Sequence, residues 1–193
     1  MQSLYKLANL PDLEKIQKEL VECIDHDWTS RGLNAFSYPE AYMTEKCPTL
    51  MAWIKPRSKA AISQLRFYVT PPHSFLEEHI DGGGIIPTCA FNLNIPVANT
   101  KNTTFTWYET EESNLEVKKI NGRASSFYAK DRSILKPLDK LEITQPVFVK
   151  TDILHGVQNP NDTFRLMFTV RWPIKKDAFR TIEECLITDD IFK

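Results

Sequence analysis

Apolar and polar positions divide the chain into a helical first part, a central run of strands and a short final helix. From residue 11 to residue 29, apolar residues recur at helical spacing and form one stripe, which predicts an amphipathic helix packed on a sheet. Residues 38 to 54 predict a second, weaker helix that is interrupted at Pro48. A last helix is predicted over residues 177 to 186. The helices therefore flank the middle of the chain.

Between residues 64 and 172 the pattern changes to the alternation that is typical of half-buried strands. Turn residues separate the predicted strands, which cover residues 63–70, 88–97, 103–109, 115–119, 125–130, 141–150 and 163–172. Strands at short intervals with helices on either side predict a mainly β fold with flanking helices. Its core would be a double-sheet jelly roll of the cupin-like, double-stranded β-helix kind.

The length of 193 residues predicts a single domain over 1–193, with its helical part at about 1–62. An apolar content of 42% and a charged content of 25% are typical of a globular chain. A formal net charge of −1 gives no sign of the basic surface that nucleic acids or membranes attract. No apolar run approaches the roughly 20 residues that span a bilayer, and the first residues lack a signal-peptide core. We therefore expect a cytoplasmic protein without membrane or nucleic-acid partners.

The four cysteines are scattered and form no C-x-x-C pair; they are Cys23, Cys47, Cys89 and Cys185. This spacing predicts neither a structural zinc site nor, in the expected compartment, disulfides. We expect them to be small buried apolar residues.

Candidate metal chemistry concentrates in the segment 77–84, EEHIDGGG. His79 and Asp81 are two positions apart, so on a strand their side chains point to the same side. His155, at the end of the apolar run 147–154, is the candidate for a third ligand. Two histidines and one carboxylate with open remaining positions form the arrangement that suits non-haem Fe(II) oxygenases.

Arg165 follows His155 by ten residues, across the strong turn signal at 159–162. This spacing predicts a β-hairpin whose two arms carry His155 and Arg165. A loop with an odd number of residues, centred near Pro160, puts the two side chains on one face, and an even loop puts them on opposite faces. The sequence leaves that choice open. An arginine held near a metal pair is a fork for a carboxylate.

The H-x-D pair, the distal His155 and Arg165 together resemble the Fe(II)/2-oxoglutarate-dependent dioxygenases. The segment 154–172 resembles the distal motif of the small prolyl and aspartyl/asparaginyl hydroxylases within that family, and the whole resemblance covers about residues 64–172. Asp81 argues against a close match to the aspartyl/asparaginyl branch, which often lacks the metal-binding carboxylate.

The resemblance implies that His79, Asp81 and His155 bind Fe(II) and that Arg165 binds the far carboxylate of 2-oxoglutarate, the cosubstrate. It further implies that the protein is a hydroxylase that consumes dioxygen and releases succinate and carbon dioxide. The substrate is left unidentified, as a small molecule, an amino acid or a peptide.

Other polar positions are candidates for the walls of this site. Asn92 is expected to face the interior and donate to a 2-oxoglutarate carboxylate, and Thr169 shares a strand face with Arg165. Arg171 is expected to add a contact to the cosubstrate, as Thr169 does, nearer the mouth of the site. Four further residues are expected either to line the site or to be ordinary surface and core residues: Arg66, Tyr68, Asn94 and Trp107.

Two other functions are compatible with the sequence. The first is a cupin-type metal enzyme that does not use 2-oxoglutarate, which cosubstrate dependence would separate from a dioxygenase. The second is a non-catalytic jelly-roll binding module, in which His79, Asp81 and His155 are incidental polar residues. The metal content of the purified protein distinguishes this module from both enzymes.

Overall fold

The computed structural model describes residues 3–24, 27, 35–81, 90–120, 123–172 and 181–193, and these contain two six-stranded antiparallel sheets. The strands are β1 Tyr5–Leu7, β2 Ala35–Ser37, β3 Gln64–Thr70, β4 Ser74–Asp81, β5 Phe91–Ala98, β6 Thr104–Glu109, β7 Leu115–Ile120, β8 Arg123–Ala129, β9 Lys136–Leu141, β10 Val147–Lys150, β11 His155–Asn159 and β12 Arg165–Arg171. The helices are α1 Leu13–Glu22, α2 Glu40–Lys46, α3 Pro48–Ile54 and α4 Ile182–Cys185.

The first sheet has the strand order β1-β10-β5-β12-β3-β2, and the second has the order β7-β8-β4-β11-β6-β9. From β3 to β6, and again from β10 to β12, each successive strand lies in the other sheet. Strands β7, β8 and β9 extend the second sheet at its two edges. This alternation between two facing sheets confirms the predicted jelly-roll core.

The helices cover the outer face of the first sheet. Ile16 and Leu20 of α1 are fully buried in one apolar cluster with Leu93 of β5 and Phe168 of β12. Burying such a side chain contributes about 1.5–3 kcal/mol, so the apolar stripe of α1 holds the helix against the sheet as predicted. Because apolar residues of β5 and β12 face the helices, the polar residues that alternate with them face the other sheet.

The helix boundaries differ from the prediction at α1, α2 and α4. Helix α1 ends at Glu22, earlier than the predicted residue 29; Cys23 caps it with helical backbone angles, and Ile24 is no longer helical. Helix α2 begins at Glu40 instead of residue 38, and α4 covers only Ile182–Cys185 because Thr181 and Leu186 have extended backbones. The break between α2 and α3 falls at Cys47, and Pro48 occupies the first turn of α3, where its missing N–H costs nothing. The predicted residues 177–180 of the last helix lie outside the described part of the chain. The longest described helix has ten residues, and none of those described could cross a membrane.

Three of the cysteines are buried and free, as expected: Cys23, Cys47 and Cys185. Cys89 lies outside the described residues.

The connection between β11 and β12 corrects the predicted hairpin. The two strands lie in different sheets, β11 between β4 and β6, and β12 between β3 and β5. Asn159 holds the corner, because its side-chain amide donates to the carbonyl oxygens of Thr70, Pro71 and Thr163 at 2.8–3.0 Å. The turn therefore carries the chain from one sheet to the other instead of reversing it within one sheet.

Strand β4 contains a bulge next to the H-x-D pair. His79 lies opposite His155, whereas Leu76 lies opposite Val157, so β4 has one residue more than β11 over this stretch. The extra residue lets Leu76 and His79 both line the cavity between the sheets despite their odd spacing. Bulges of this kind often re-aim a side chain beside an active site.

Gly156 lies against this bulge, and its replacement by alanine is expected to destabilise the protein. A Cβ atom there would lie 3.2 Å from the carbonyl oxygen of Leu76 and 3.2 Å from Cγ of Glu78. Overpacking costs about 1–3 kcal/mol, and the lower unfolded-state entropy of alanine offsets only about 0.4–1 kcal/mol. The net loss of about 1 kcal/mol is measured by urea denaturation, with the exposed Gln158→Ala on the same strand as control. A Gly156→Ala protein as stable as the control would show that the bulge can move aside.

Candidate metal centre

Three side chains meet at one end of a cavity of about 350 Å³ between the two sheets. His79 and Asp81 leave the same face of β4, and His155 lies directly opposite His79 on β11. One possible ligand atom from each of the three residues lies within 4.8 Å of the other two. Bonds from a metal to imidazole nitrogen or carboxylate oxygen are about 2.0–2.2 Å long, so small side-chain movements bring all three atoms to one ion.

Backbone carbonyl groups fix the orientation of both imidazoles. Nδ1 of His79 donates to the carbonyl oxygen of Glu77 at 2.7 Å, and Nδ1 of His155 donates to that of Ile153 at 2.8 Å. With Nδ1 engaged in this way, Nε2 is the nitrogen of each ring that is left to bind a metal; in the absence of a metal, Nε2 of His79 faces Oδ1 of Asp81. Metal-binding histidines in proteins commonly make the same hydrogen bond from their other ring nitrogen to a backbone carbonyl.

One oxygen of the Asp81 carboxylate is held by two N–H donors, and the other oxygen faces the histidines. Its Oδ2 accepts a hydrogen bond from Nδ2 of Asn92 at 2.9 Å and lies 2.9 Å from Nη2 of Arg171. Its Oδ1 lies 3.4 Å from Nε2 of His79. We therefore identify Oδ1 as the atom available to a metal, with Asn92 and Arg171 holding the other oxygen away from it.

Burial and charge set the protonation of the three groups. Burial opposes ionisation of Asp81, but the charge of Arg171 and the hydrogen bond from His79 outweigh it and hold the pKa of Asp81 well below its usual range. Burial and the neighbouring His79 lower the pKa of His155 to about 3, so its imidazole is neutral. Burial also opposes protonation of His79, but the hydrogen bond and charge of Asp81 outweigh it and raise the pKa of His79.

Replacing Asn92 with leucine is expected to weaken metal binding, because Oδ2 of Asp81 loses a donor. Removing a group that holds a metal ligand by a hydrogen bond typically lowers metal affinity about 10–100-fold, and we expect a loss of about that size in a calorimetric Fe(II) titration under anaerobic conditions. Asn94→Leu is the matched control, since Asn94 lines the same cavity without a hydrogen bond to Asp81 and instead accepts one from Thr169 at 2.9 Å. Equal metal affinities in the two variants would contradict this role for Asn92.

Arg165 lies toward the other end of the cavity, opposite Thr70 in the strand register. Its side chain is buried, its Nε has no hydrogen-bond partner, and no carboxylate of the described residues pairs with it. Burial lowers the pKa of Arg165 to about 10, so the guanidinium stays charged at pH 7. An unpaired buried charge is costly, so Arg165 is a candidate residue for binding an anionic ligand in this cavity.

The other predicted residues lie at different positions relative to the cavity. Tyr68, Asn94 and Thr169 line the cavity together with Asn92. Arg66 is not among the residues that line the cavity; it lies beside them on the strand face of Tyr68, with its Nη1 3.5 Å from the hydroxyl oxygen of Tyr68. Contacts of Asn92 and Thr169 with a cosubstrate stay predictions.

Trp107 does not line the cavity; of the two positions left open for it, the structure gives the core position. It is fully buried in a second apolar cluster between the sheets, its ring stacks on Tyr5 at 6.0 Å between centroids, and its Nε1 donates to the carbonyl oxygen of Lys150 at 2.8 Å. Phe105, two residues earlier, takes the wall position and stacks on His155 at 4.9 Å between ring centroids. The larger indole instead fills the space toward β10 and β1.

Sequence reasoning missed the ion pair between Arg171 and Asp81. Alternation along β12 puts Arg171 on the same face as Arg165 and Thr169, so its position beside the site could be predicted. Its partner could not, because Asp81 lies in the other sheet and only the packing of the two sheets brings the groups together.

No protein-family model and no curated protein matches the sequence. Among solved structures, the chain is similar to the epimerase SnoN in complex with Fe3+, alpha ketoglutarate and nogalamycin RO, with a TM-score of 0.55 and 11% identity over 98% of this chain and 93% of that chain. It is also similar to the non-heme alpha ketoglutarate dependent carbocyclase SnoK from nogalamycin biosynthesis, with a TM-score of 0.52 and 12% identity over 88% of this chain and 78% of that chain. At such low identity the similarity shows a shared fold.

Proposed function

We propose that this chain is an Fe(II)- and 2-oxoglutarate-dependent oxidoreductase that hydroxylates a small organic substrate. The observation that carries the proposal is the presence of two half-sites in one cavity. A two-histidine, one-carboxylate cluster with oriented Nε2 atoms lies at one end, and the buried, unpaired Arg165 lies toward the other. The fold alone has no use for the buried charge of Arg165, because its Nε has no hydrogen-bond partner.

The donor set fits Fe(II). Two imidazoles and one carboxylate oxygen occupy one face of a six-coordinate ion and leave the opposite positions open, which is the ligand arrangement of non-haem Fe(II) oxygenases. His79, His155 and Oδ1 of Asp81 would hold the ion. When bound, the metal and 2-oxoglutarate supply the activation of dioxygen, with succinate and carbon dioxide as the products of the cosubstrate.

The remaining residues orient the cosubstrate and exclude water. Arg165 presents a planar fork that matches the far carboxylate of 2-oxoglutarate. Apolar side chains line the cavity together with Arg165 and the histidines; Phe105, Val157 and Met167 are buried, and Leu76 is partly exposed. An apolar wall strengthens the ion pair with Arg165 and limits the access of water to reactive species.

A hydroxylation of a small molecule is the specific reaction we propose. The complex of SnoN contains nogalamycin RO, a small-molecule ligand, and this supports a small organic substrate here over a protein. The same fold also serves the epimerase and carbocyclase reactions that the two similar structures are named for, so product analysis is part of the test.

The experiment is an anaerobic titration of the purified protein with Fe(II) and then 2-oxoglutarate, followed by visible absorption. We expect a charge-transfer band that needs both additions, and succinate formation when dioxygen is admitted. Fe(II) binding without any response to 2-oxoglutarate would favour the cupin-type enzyme, and the absence of Fe(II) binding would favour the non-catalytic module.

A further inference from the structure

We propose that Arg66 binds an anionic oxygen group, a carboxylate or a phosphate, on the substrate of this enzyme. The inference deepens the proposed function, on which it rests, by naming the substrate class as small organic anions. It is carried by the placement of Arg66, by its lack of an ion-pair partner and by the charges of the cavity.

The strand register places Arg66 beside the metal end of the cavity, next to the residues that line it. On β3, Arg66 shares a face with Tyr68 and Thr70, and both of these line the cavity. Thr70 lies opposite Arg165, whereas Arg66 lies opposite Thr169. Four residues of strand separate these levels, a distance of about 13 Å. Arg66 therefore serves a different anionic group from the one that Arg165 binds.

The guanidinium of Arg66 has no carboxylate partner in the described part of the chain. Its Nε is buried without a hydrogen bond, and its one polar contact is Nη1 at 3.5 Å from the hydroxyl oxygen of Tyr68. Other arginines of this protein are paired closely, Arg132 with Glu78 at 2.6 Å and Arg57 with Asp190 at 2.6 Å. Arg66 thus keeps its N–H groups available for a ligand.

Tyr68 holds two guanidinium groups beside the metal cluster. Cζ of Arg66 lies 5.6 Å from the ring centroid of Tyr68, and Cζ of Arg171 lies 5.4 Å from it. The negative face of an aromatic ring attracts cations without using their N–H donors. Arg171 is directed to Asp81, so Arg66 is the member of this group that can receive a substrate.

The charges around the cavity favour an anion. Asp81 is the only carboxylate among the described residues that line it, and Arg171 pairs with that group. The two charges of 2-oxoglutarate balance those of Fe(II). Because the far carboxylate of 2-oxoglutarate pairs with Arg165, Arg66 is the guanidinium that remains without a partner among the described residues of the loaded site. A neutral substrate would leave Arg66 partly desolvated and unpaired, whereas an anion would form a charge-assisted pair with it.

The first part of the test separates substrate from cosubstrate. Arg66→Gln and Arg66→Lys are compared with Lys101→Gln, which removes one exposed positive charge far from the metal cluster. The Kd of 2-oxoglutarate is measured from the charge-transfer band of the Fe(II) protein. We expect all three variants to stay within about twofold of the unchanged protein. A large rise in this Kd for Arg66→Gln would assign Arg66 to the cosubstrate and overturn the proposal.

The second part measures binding of matched probes to protein saturated with Fe(II) and 2-oxoglutarate without dioxygen. The probes are benzoate, 3-phenylpropanoate and octanoate with their primary amides, together with phenyl phosphate, and binding is measured by calorimetry. We expect at least one anion to bind more tightly than its neutral counterpart. Its Kd should rise about 10–100-fold in Arg66→Gln, partly recover in Arg66→Lys and stay unchanged in Lys101→Gln. Comparison of the Kd of phenyl phosphate with that of benzoate shows which anion the site prefers.

Three outcomes overturn the proposal: amides that bind as tightly as the acids, acids that bind Arg66→Gln as tightly as the unchanged protein, or no bound anion. The same probes are also applied to metal-free Arg165→Gln protein, in which Arg66 is the remaining unpaired guanidinium of the site. Selective binding of anions there, in a protein that gives no charge-transfer band, would show that the anion site stands although the proposed reaction fails.

Discussion

Replacing His155 with alanine is expected to abolish the stabilisation of this protein by Fe(II). A metal that binds only the folded state at 100 times its Kd adds about 2.7 kcal/mol to the free energy of unfolding. His155 supplies one of three ligand atoms, and its neutral, oriented imidazole has no replacement among the described residues near the cluster. We expect the affinity for Fe(II) to fall by more than about 100-fold, which is more than the loss of a group that only holds a ligand in place. Thermal unfolding with and without Fe(II) under anaerobic conditions measures the effect.

His73→Asn is the matched control for this prediction. His73 is exposed, contacts Asp162 at 2.7 Å and lies outside the metal cluster. Its φ of 48° is in the left-handed region, which asparagine tolerates better than alanine. The control should keep the full Fe(II)-dependent rise in unfolding temperature. A His155→Ala protein that also keeps this rise would remove His155 from the ligand set.

Replacing Arg165 with methionine is expected to change stability and ligand binding in opposite directions. Because burial lowers the pKa of this base, the charged form is disfavoured in the folded state, and at pH 7 the group is charged in both the folded and the unfolded protein. Removing the unpaired charge should raise the free energy of unfolding of the ligand-free protein by roughly 1–3 kcal/mol. The same change removes a charge-assisted pair worth about 1.5–3 kcal/mol, so the Kd of 2-oxoglutarate should rise roughly 10–150-fold. Urea denaturation and the charge-transfer titration measure the two effects.

Arg171→Met provides the contrast. Arg171 lines the same cavity, but it pairs with the buried Asp81, and breaking a buried pair costs about 3–5 kcal/mol because the other charge stays behind. The two arginine variants should therefore shift the urea midpoint in opposite directions. A ligand-free Arg165→Met protein that is less stable than the unchanged one would show that Arg165 has a structural role instead of an open binding role.

Local spacing was sufficient for much of the candidate site. His79 and Asp81 share a face because strand side chains alternate with a period of two, and the same rule put Asn92 and Asn94 on the interior face of β5. The apolar stripe of α1 and the helix break at Pro48 were likewise properties of neighbouring residues. These features depend on backbone geometry within a few residues, so they can be predicted directly from the sequence.

Features that depend on contacts between distant segments of the chain could not be predicted from local spacing. Nothing between His155 and Arg165 distinguishes a hairpin from a crossover, because turn residues serve both, and the choice depends on which strands pair with β11 and β12. The bulge in β4 is a register shift against β11, so it exists only as a property of the pair. Trp107 packs in the apolar cluster next to β10 instead of lining the cavity, and this contact joins two strands that are distant in the sequence.

The sequence by itself determined the elements, their polar faces and the residue types able to bind a metal and an acid, since each follows from short-range periodicity and side-chain chemistry. The tertiary structure decided which of these residues meet. It brings His155 close to His79, and it pairs Asp81 with Arg171 and Asn92. It also leaves Arg165 and Arg66 without a carboxylate partner in the described chain. The physical reason is that pairing and loss of hydration depend on distances across two packed sheets, and those distances are set by strand order and register instead of by separation along the chain.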